Sequence, residues 1–258
     1  LSILVAENLS KVYGSRLGKR YEALRQFNLT VEKGEFIAVM GPSGSGKTTL
    51  LNLLSSIDTA TSGKITINGS AITSFSKNKL AKFRRKNMGF IFQDYNLLDT
   101  LTIGENILLP LTLNKVKVSE MKNKLSTISK QLGIGSIIDK RTFEVSGGQM
   151  QRTAIARALI HDPAIIFADE PTGNLDSKAS LQVMESLSTL QKVSKTTTVM
   201  VTHDPFAASF SGRVVFIKDG KLFNEIHRGD NRQTFFQDIL NVQSLLGGNT
   251  DDLQTIRF

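Results

Sequence analysis

Cysteine is absent from the 258-residue chain. A disulfide framework and any cysteine-ligated metal are therefore excluded, and a reducing compartment is compatible with the sequence. Tryptophan is absent too and proline is scarce; neither decides a class. No apolar run approaches the roughly 20 residues that a membrane-spanning helix needs. The best runs, Phe36–Met40 and Ala164–Ala168, have the length of buried strands. Leu1–Glu7 has neither the basic start nor the long apolar stretch of a secretory signal. These absences predict a chain that is cytosolic, or peripheral to a membrane through a partner. No internal repeat or low-complexity tract is present.

What the chain has is an ordinary globular composition, 40% hydrophobic and 21% charged. Its length suits one large domain or two small lobes sharing an interface. The net charge of +9 makes nucleic acid, an anionic membrane surface and phosphate ligands plausible partners. The densest basic stretch is Lys77, Lys79, Lys82, Arg84, Arg85 and Lys86. It reads either as a solvated helix face or as a segment close to anionic headgroups.

Hydrophobic periodicity lays out the elements. Phe27, Leu29 and Val31 alternate with polar residues as in a half-buried strand, Lys33-Gly34 turns it, and Phe36–Met40 reads as a fully buried strand. Leu50, Leu51, Leu54 and Ile57 recur at helical spacing. Ile65 and Ile67 run into Asn68-Gly69, a hairpin signal, and Asp219-Gly220 makes another. Met88–Phe92 is a short strand. From about Asn96 to Gln151 the pattern is mainly helical, with breaks at Gly104, Pro110 and Gly133-Ile134-Gly135, and reads as a separate helical lobe. Ile165–Ala168, Thr197–Val201 and Val214–Ile217 return to strand. Strands alternating with helices predict a largely parallel α/β sheet. Asn231–Leu246 is expected as a terminal helix with Phe235, Ile239, Val242 and Leu246 on one face.

The segment Gly41-Pro42-Ser43-Gly44-Ser45-Gly46-Lys47-Thr48 fills the phosphate-binding P-loop pattern at every fixed position and lies between an expected strand and an expected helix. Its glycines let successive backbone N–H groups turn onto an anion, and the helix behind presents its positive dipole end. Lys47 supplies a full charge near the β/γ-phosphates, and Thr48 offers a hydroxyl to Mg²⁺. Asp169-Glu170 follows the apolar run Ile165–Ala168, at the strand end where such sheets bind ligands. Asp169 is expected to hold Mg²⁺, and Glu170 to orient or deprotonate an attacking water. Ser146-Gly147-Gly148-Gln149 opens a helical run and forms a second glycine-rich helix start, hence a second anion site.

At this point the sequence resembles the ABC ATPase family. Ser146–Gln149 is similar to the family signature, with Val145 where leucine is commonest, and the resemblance covers roughly Ile3 to Ile226. It implies an α/β P-loop NTPase fold: an ABC-type nucleotide-binding domain over 1–226 with a RecA-like core lobe, an antiparallel β subdomain and a helical signature lobe at about 96–151. A C-terminal helical extension then spans 227–258. By resemblance Gln93 is the Q-loop glutamine, reaching both the metal site and a membrane subunit. Asn174-Leu175-Asp176 resembles the D-loop, His203 the γ-phosphate switch histidine, and Tyr13 the aromatic that stacks on adenine, with Tyr21 close by. The implied set for ATP is Tyr13, Gly41, Ser43, Gly44, Ser45, Gly46, Lys47, Thr48, Thr49, Ser146, Gly147, Gly148, Gln149 and Asp176. Thr48, Gln93 and Asp169 are implied for Mg²⁺, and Glu170, His203, Gln93 and Lys47 for catalysis.

The resemblance also implies a head-to-tail pair of two copies, the P-loop of one facing Ser146–Gln149 of the other. No Asn-Lys-x-Asp guanine-reading motif occurs, which argues against a P-loop GTPase or kinase; the chain is also too short for the tandem domains or long coiled-coil insertion of soluble ABC proteins that act on nucleic acid or ribosomes, so no nucleic acid is expected. Gly89–Leu98 and Asp169–Asp176 are similar to the macrolide-exporter, lipoprotein-release and cell-division group. The tail Arg232–Leu240, with His161-Asp162-Pro163 and Asp204-Pro205, is similar to Bce-type transporters of peptide-antibiotic resistance and sensing. A permease docked near Gln93–Leu98, a sensor histidine kinase reached through it, and a peripheral place on the cytoplasmic face of the membrane are the implied partners and location.

Overall fold

A computed structural model describes residues 1–14 and 20–247; residues 248–258 of the expected C-terminal extension lie outside them. The chain begins with a long strand, β1 (Ser2–Tyr13), paired antiparallel with β2 (Tyr21–Glu32). Next come β3 (Phe36–Met40), helix α1 (Lys47–Leu54), the hairpin β4 (Ser62–Ile67) and β5 (Ser70–Ala71), helix α2 (Lys77–Asn87) and β6 (Met88–Ile91). Three helices succeed them, α3 (Ile103–Leu113), α4 (Val118–Gln131) and α5 (Gly147–Leu159). After these, β7 (Ile165–Asp169), α6 (Ser177–Ser194), β8 (Thr197–Val201), α7 (Pro205–Ala208), β9 (Arg213–Lys218), β10 (Lys221–His227) and α8 (Arg232–Gly247) complete the order.

The strands form two sheets. One is antiparallel, in the order β2-β1-β4-β5; the other runs β10-β9-β3-β8-β7-β6. In the second, every neighbour pair from β9 to β6 is parallel and only β10 is antiparallel. Alternation along its strands sorts side chains to two cores. Phe36, Ala38 and Met40 of β3, Ile166 and Ala168 of β7, and Val214 and Phe216 of β9 face the helices α3 to α8. Ile37, Val39, Ile165, Phe167, Val215 and Ile217 face α1 and the antiparallel sheet. A strand buried on both sides reads as a continuous apolar run, which is why these stretches stand out in the sequence.

Local chemistry explains the turns. Asn68 and Gly69, and likewise Asp219 and Gly220, all have positive φ, so both hairpins are two-residue turns whose twist matches the strands they join. Two expected helix breaks are absent. Gly104 and Pro110 both lie within α3. Gly104 is in its first turn, where N–H groups have no helical partner. Pro110 is in its last, so the proline removes a single ladder bond rather than splitting the helix. Gly133, at φ 64, does end α4.

α8 closes one edge of the helical core. Its stripe Phe235, Ile239, Val242 and Leu246 is buried, at the four-then-three spacing of one helix face. Phe235→Ala is expected to cost about 3–5 kcal/mol and to lower the melting temperature by about 10 °C, read by circular dichroism without nucleotide. An unchanged melting point would show that α8 does not dock.

Candidate active site

The site sits at the carboxyl ends of the parallel strands. β3 ends at Met40 and passes directly into the P-loop. Two glycines there are dictated by sterics. A Cβ on Gly41 would lie 2.2 Å from the Ile217 carbonyl oxygen, and one on Gly46 would lie 2.5 Å from the Ala23 carbonyl oxygen, with Gly46 also at φ 105. Only glycine accommodates both demands. Gly46 caps α1, so the first N–H groups of that helix open toward the loop. The Ser45 hydroxyl is buried and has no hydrogen-bond partner among the described residues.

Lys47 folds over the loop and donates from Nζ to the carbonyls of Gly41 at 2.8 Å and Pro42 at 3.0 Å. Burial lowers the pKa of its ammonium, while Glu170 and Asp169 act to raise it. Asp169 ends β7. By strand alternation it shares a face with Ile165 and Phe167, the face toward α1. Burial raises its carboxyl pKa, Glu170 adds to the rise, and Lys47 opposes it. Two carboxylates and an ammonium are thus held together, partly desolvated.

Glu170 turns sharply after the strand, at φ 43, a left-handed backbone that is uncommon for a non-glycine residue. The turn is pinned from both sides: Glu170 N donates to Val201 O at 2.9 Å and Gly173 N donates to Glu170 O at 3.0 Å. Its carboxylate accepts from Thr202 Oγ1 at 3.0 Å and from the His203 backbone N–H at 3.0 Å. His203 Nδ1 lies 2.8 Å from Oε1. The His203 side chain is 72% exposed whereas that of Glu170 is 15% exposed, so the imidazole forms the solvent side of the pair. Both residues line one cavity of about 640 Å³ together with Gly41, Gly44, Lys47 and Thr48.

Other residues group apart from that cavity. The Ser146 hydroxyl accepts from Gln149 N at 3.4 Å and the Gln149 side chain accepts from Ser146 N at 2.8 Å, a reciprocal cap on α5. None of Ser146–Gln149 lines the P-loop cavity. A Cβ on Gly147 would meet the Tyr95 hydroxyl at 3.0 Å and Leu175 at 3.3 Å, which places the α5 start beside the 170–176 loop. Asp176 caps α6 by accepting from Ala179 N at 2.8 Å. Gln93 Nε2 donates to Asn174 Oδ1 at 3.1 Å, and Asn174 donates back to the Gln93 carbonyl at 3.2 Å and to Asp94 at 2.8 Å.

A family model for ABC transporters matches residues 24–173. The chain is 58% identical to the ABC transporter ATP-binding protein YxdL of Bacillus subtilis (strain 168), over 99% of both chains. It is 53% identical to the bacitracin export ATP-binding protein BceA of Halalkalibacterium halodurans, over 98% of this chain and 100% of that one. Among solved structures, the dimeric ATP-binding cassette MJ0796 bound to ADP and Pi is 37% identical with a TM-score of 0.79, covering 88% of this chain and 99% of its own. The chain is an ABC transporter ATP-binding subunit.

The ABC subunit therefore binds ATP and hydrolyses it in service of a transporter. Tyr13 and Tyr21 are directly opposed across β1 and β2, so their rings share a face. The Tyr13 hydroxyl donates to Asp58 at 2.9 Å, while Tyr21 donates to the Gly44 carbonyl at 2.9 Å and lines the P-loop cavity. Reasoning from sequence left out Thr202, which is marked only by its place beside His203. It left out Gln151, which donates from Nε2 to Pro171 O at 2.7 Å. It also missed Arg157, which donates to the backbone carbonyls of Asn96 and, at 2.7 Å, of Tyr95. Tyr95 and Asn96 have φ of 60 and 47, and the guanidinium clamps this strained pair. Neither a lone glutamine nor a lone arginine within a helix carries a periodic signal.

The raised carboxyl pKa of Asp169 has a consequence for stability. A folded-state pKa above the unfolded one means that the native state favours the proton, so the group opposes folding once ionised. Asp169→Asn is expected to melt higher than the parent at pH 7 to 8 without nucleotide. The gap should shrink as pH falls from the raised folded-state pKa toward the ordinary aspartate value of about 3.9, and vanish below it. A variant that melts lower at neutral pH would contradict the desolvation account.

Proposed function

We propose that this ABC ATPase drives a transporter for peptide-antibiotic export or sensing, working as two copies beneath a membrane permease. Near-full-length likeness to the bacitracin export protein BceA supports the class of cargo. The observation that carries the hydrolytic role is the Glu170 carboxylate, held by Thr202 and His203 on the wall of the P-loop cavity. Glu170 is placed to orient and deprotonate the attacking water, and His203 to contact the terminal phosphate from the exposed side. Lys47 and the N–H groups at the start of α1 take the β/γ-phosphates, with Gly41, Ser43, Gly44, Ser45, Gly46 and Thr49 completing the cradle. Tyr13, on the same face as Tyr21, takes the adenine.

The residues assigned to a cation suit a small hard one: Asp169 offers a carboxylate, Thr48 on the P-loop cavity a hydroxyl, and Gln93 an amide oxygen, although its side-chain nitrogen is bonded to Asn174 outside that cavity. Among the described residues no group of three or more His, Asp or Glu could cage an ion. Few protein ligands beside a triphosphate is the pattern of Mg²⁺. Bound there, Mg²⁺ would neutralise charge on the phosphates. Ser146–Gln149 and Asp176 are assigned to a second copy's nucleotide, because the α5 start stays off the P-loop cavity of its own chain yet offers helix N–H groups suited to a phosphate.

A second groove fits the permease. Phe90, Phe92, Leu109, Pro110 and Leu113 line it, Arg84 and Arg85 stand on it, and Asn96 of the Gln93–Leu98 segment reaches it. Leu98 and Leu113 are 47% and 55% exposed. A cytoplasmic helix of the permease would cover these side chains and press on Gln93, with a sensor histidine kinase reached through the permease. Among the described residues no helix is long and apolar enough to cross a membrane, so the subunit would be held peripherally, at the cytoplasmic face.

Glu170→Gln is expected to reduce steady-state hydrolysis about a hundredfold or more while ATP still binds, and light scattering should show ATP-dependent pairing of that variant. Normal turnover would remove Glu170 from the base role. Leu113→Glu is expected to abolish co-purification with the permease while the isolated chain hydrolyses ATP at its usual rate. Undiminished capture of the permease would move the docking site elsewhere.

A further inference from the structure

One edge of the antiparallel sheet backs the P-loop. β2 is the outer strand of that sheet, and three alternate residues near its start touch the loop or the turn beside it. The Tyr21 hydroxyl donates to the Gly44 carbonyl at 2.9 Å. The Ala23 carbonyl lies so close to Gly46 that a Cβ there would come within 2.5 Å of it. The Arg25 N–H donates to the Gly220 carbonyl at 2.9 Å, and the Gly220 N–H donates in turn to the Ser45 carbonyl at 3.0 Å. Two consecutive P-loop carbonyls, Gly44 and Ser45, are thereby held back by β2 and the hairpin turn it supports.

A trans peptide points its carbonyl and its N–H in opposite directions. Holding a carbonyl back therefore aims the next N–H away from the holder. The hold on the Gly44 carbonyl sets the Ser45 N–H, which closes on the Pro42 carbonyl at 3.2 Å. The hold on the Ser45 carbonyl sets the Gly46 N–H. The N–H groups of Gly46 and Lys47 have no backbone acceptor among the described residues, as suits groups kept for an anion.

Gly44 is the loosest point of this arrangement. It is exposed, has φ 75, and a Cβ on it would meet nothing within 4 Å. A glycine without packing neighbours visits both signs of φ, so no steric contact keeps its peptide from rotating. Rotation would swing the Gly44 carbonyl away from β2 and unfix the Ser45 N–H. Among the described residues, the Tyr21 hydroxyl is the one side-chain group that bonds this carbonyl.

We propose that Tyr21 is a positioning residue for phosphate binding: its hydroxyl fixes the Gly44–Ser45 peptide, so the P-loop meets the phosphates already folded. A loop ordered beforehand loses less entropy when the ligand arrives. The role is separate from stacking on the base, and it rests on the P-loop reading given above.

Tyr21→Phe keeps the ring and removes the hydroxyl at a position 56% exposed, so the fold survives it. Competition against a fluorescent ATP analogue, with Mg²⁺ present, reads the affinity for ATP and for inorganic tripolyphosphate. Both are expected to weaken by the same factor, about fivefold, because the phosphate loop has lost its hold and the base contacts have not. Weakening of ATP alone would show Tyr21 acting on the nucleoside. Weakening of neither would show that the bond does nothing for the loop. Either result overturns the proposal and leaves the P-loop reading intact. If tripolyphosphate fails to compete on the parent chain, or Lys47→Ala binds it as the parent does, the P-loop reading fails and the role of Tyr21 with it.

Discussion

The in-phase register of the parallel strands is the constraint on which the rest of the structure depends. Asp169 pairs with Val201, Val201 pairs with Val39, and Val39 pairs with Val215. Three strands therefore end within a residue of one level, and each leads into a functional segment: β3 into the P-loop, β7 into Glu170, and β8 into Thr202 and His203, while β9 runs on to Lys218 and the Gly220 turn. Because these strands are buried on both faces, a one-residue slip would exchange every side chain between the two cores. Apolar packing thus holds a polar edge in place. The Thr202 N–H donating to Val39 O at 3.2 Å and the Glu170 N–H donating to Val201 O continue the sheet pattern into the catalytic loops.

That edge concentrates charge that the fold alone would not choose. Lys47, Asp169 and Glu170 share a partly desolvated space, and burial pushes the lysine pKa down and the Asp169 pKa up. Groups perturbed in this way cluster at functional sites because the substrate, not the protein, completes their neutralisation. The left-handed backbone at Glu170 and the Tyr95-Asn96 pair are local strains of the same kind, each fixed by several hydrogen bonds from elements remote in sequence.

Some of this was legible in the sequence because the signals are local. The P-loop, the Asn68-Gly69 and Asp219-Gly220 turns and the doubly buried strands each lie within a few consecutive residues, and the helical stripe of α8 repeats over four turns. β1 was not legible. Bulges shift its register on both sides of Asn8, itself at φ 48, so Leu4 and Ala6 alternate inward and the next buried residue is Leu9. The period of two breaks where the strand twists. The clamp of Arg157 on the Tyr95-Asn96 backbone joins residues some sixty positions apart. The approach of Gln243 and Leu246 to the P-loop depends on how α8 packs; in neither case does the spacing announce the contact. The pairing of Tyr13 with Tyr21 explains why two aromatics competed for one role: they are cross-strand neighbours on one face.

The central claim is that each proposed hydrolytic site is shared, with the P-loop, Glu170 and His203 in one copy and Ser146–Gln149 in the other. The most direct measurement is specific ATPase activity against protein concentration, with light scattering on the same samples in ATP. The account predicts that activity per chain falls on dilution in step with the loss of dimer. Chains that are monomeric by scattering yet hydrolyse ATP at the undiluted rate would contradict it.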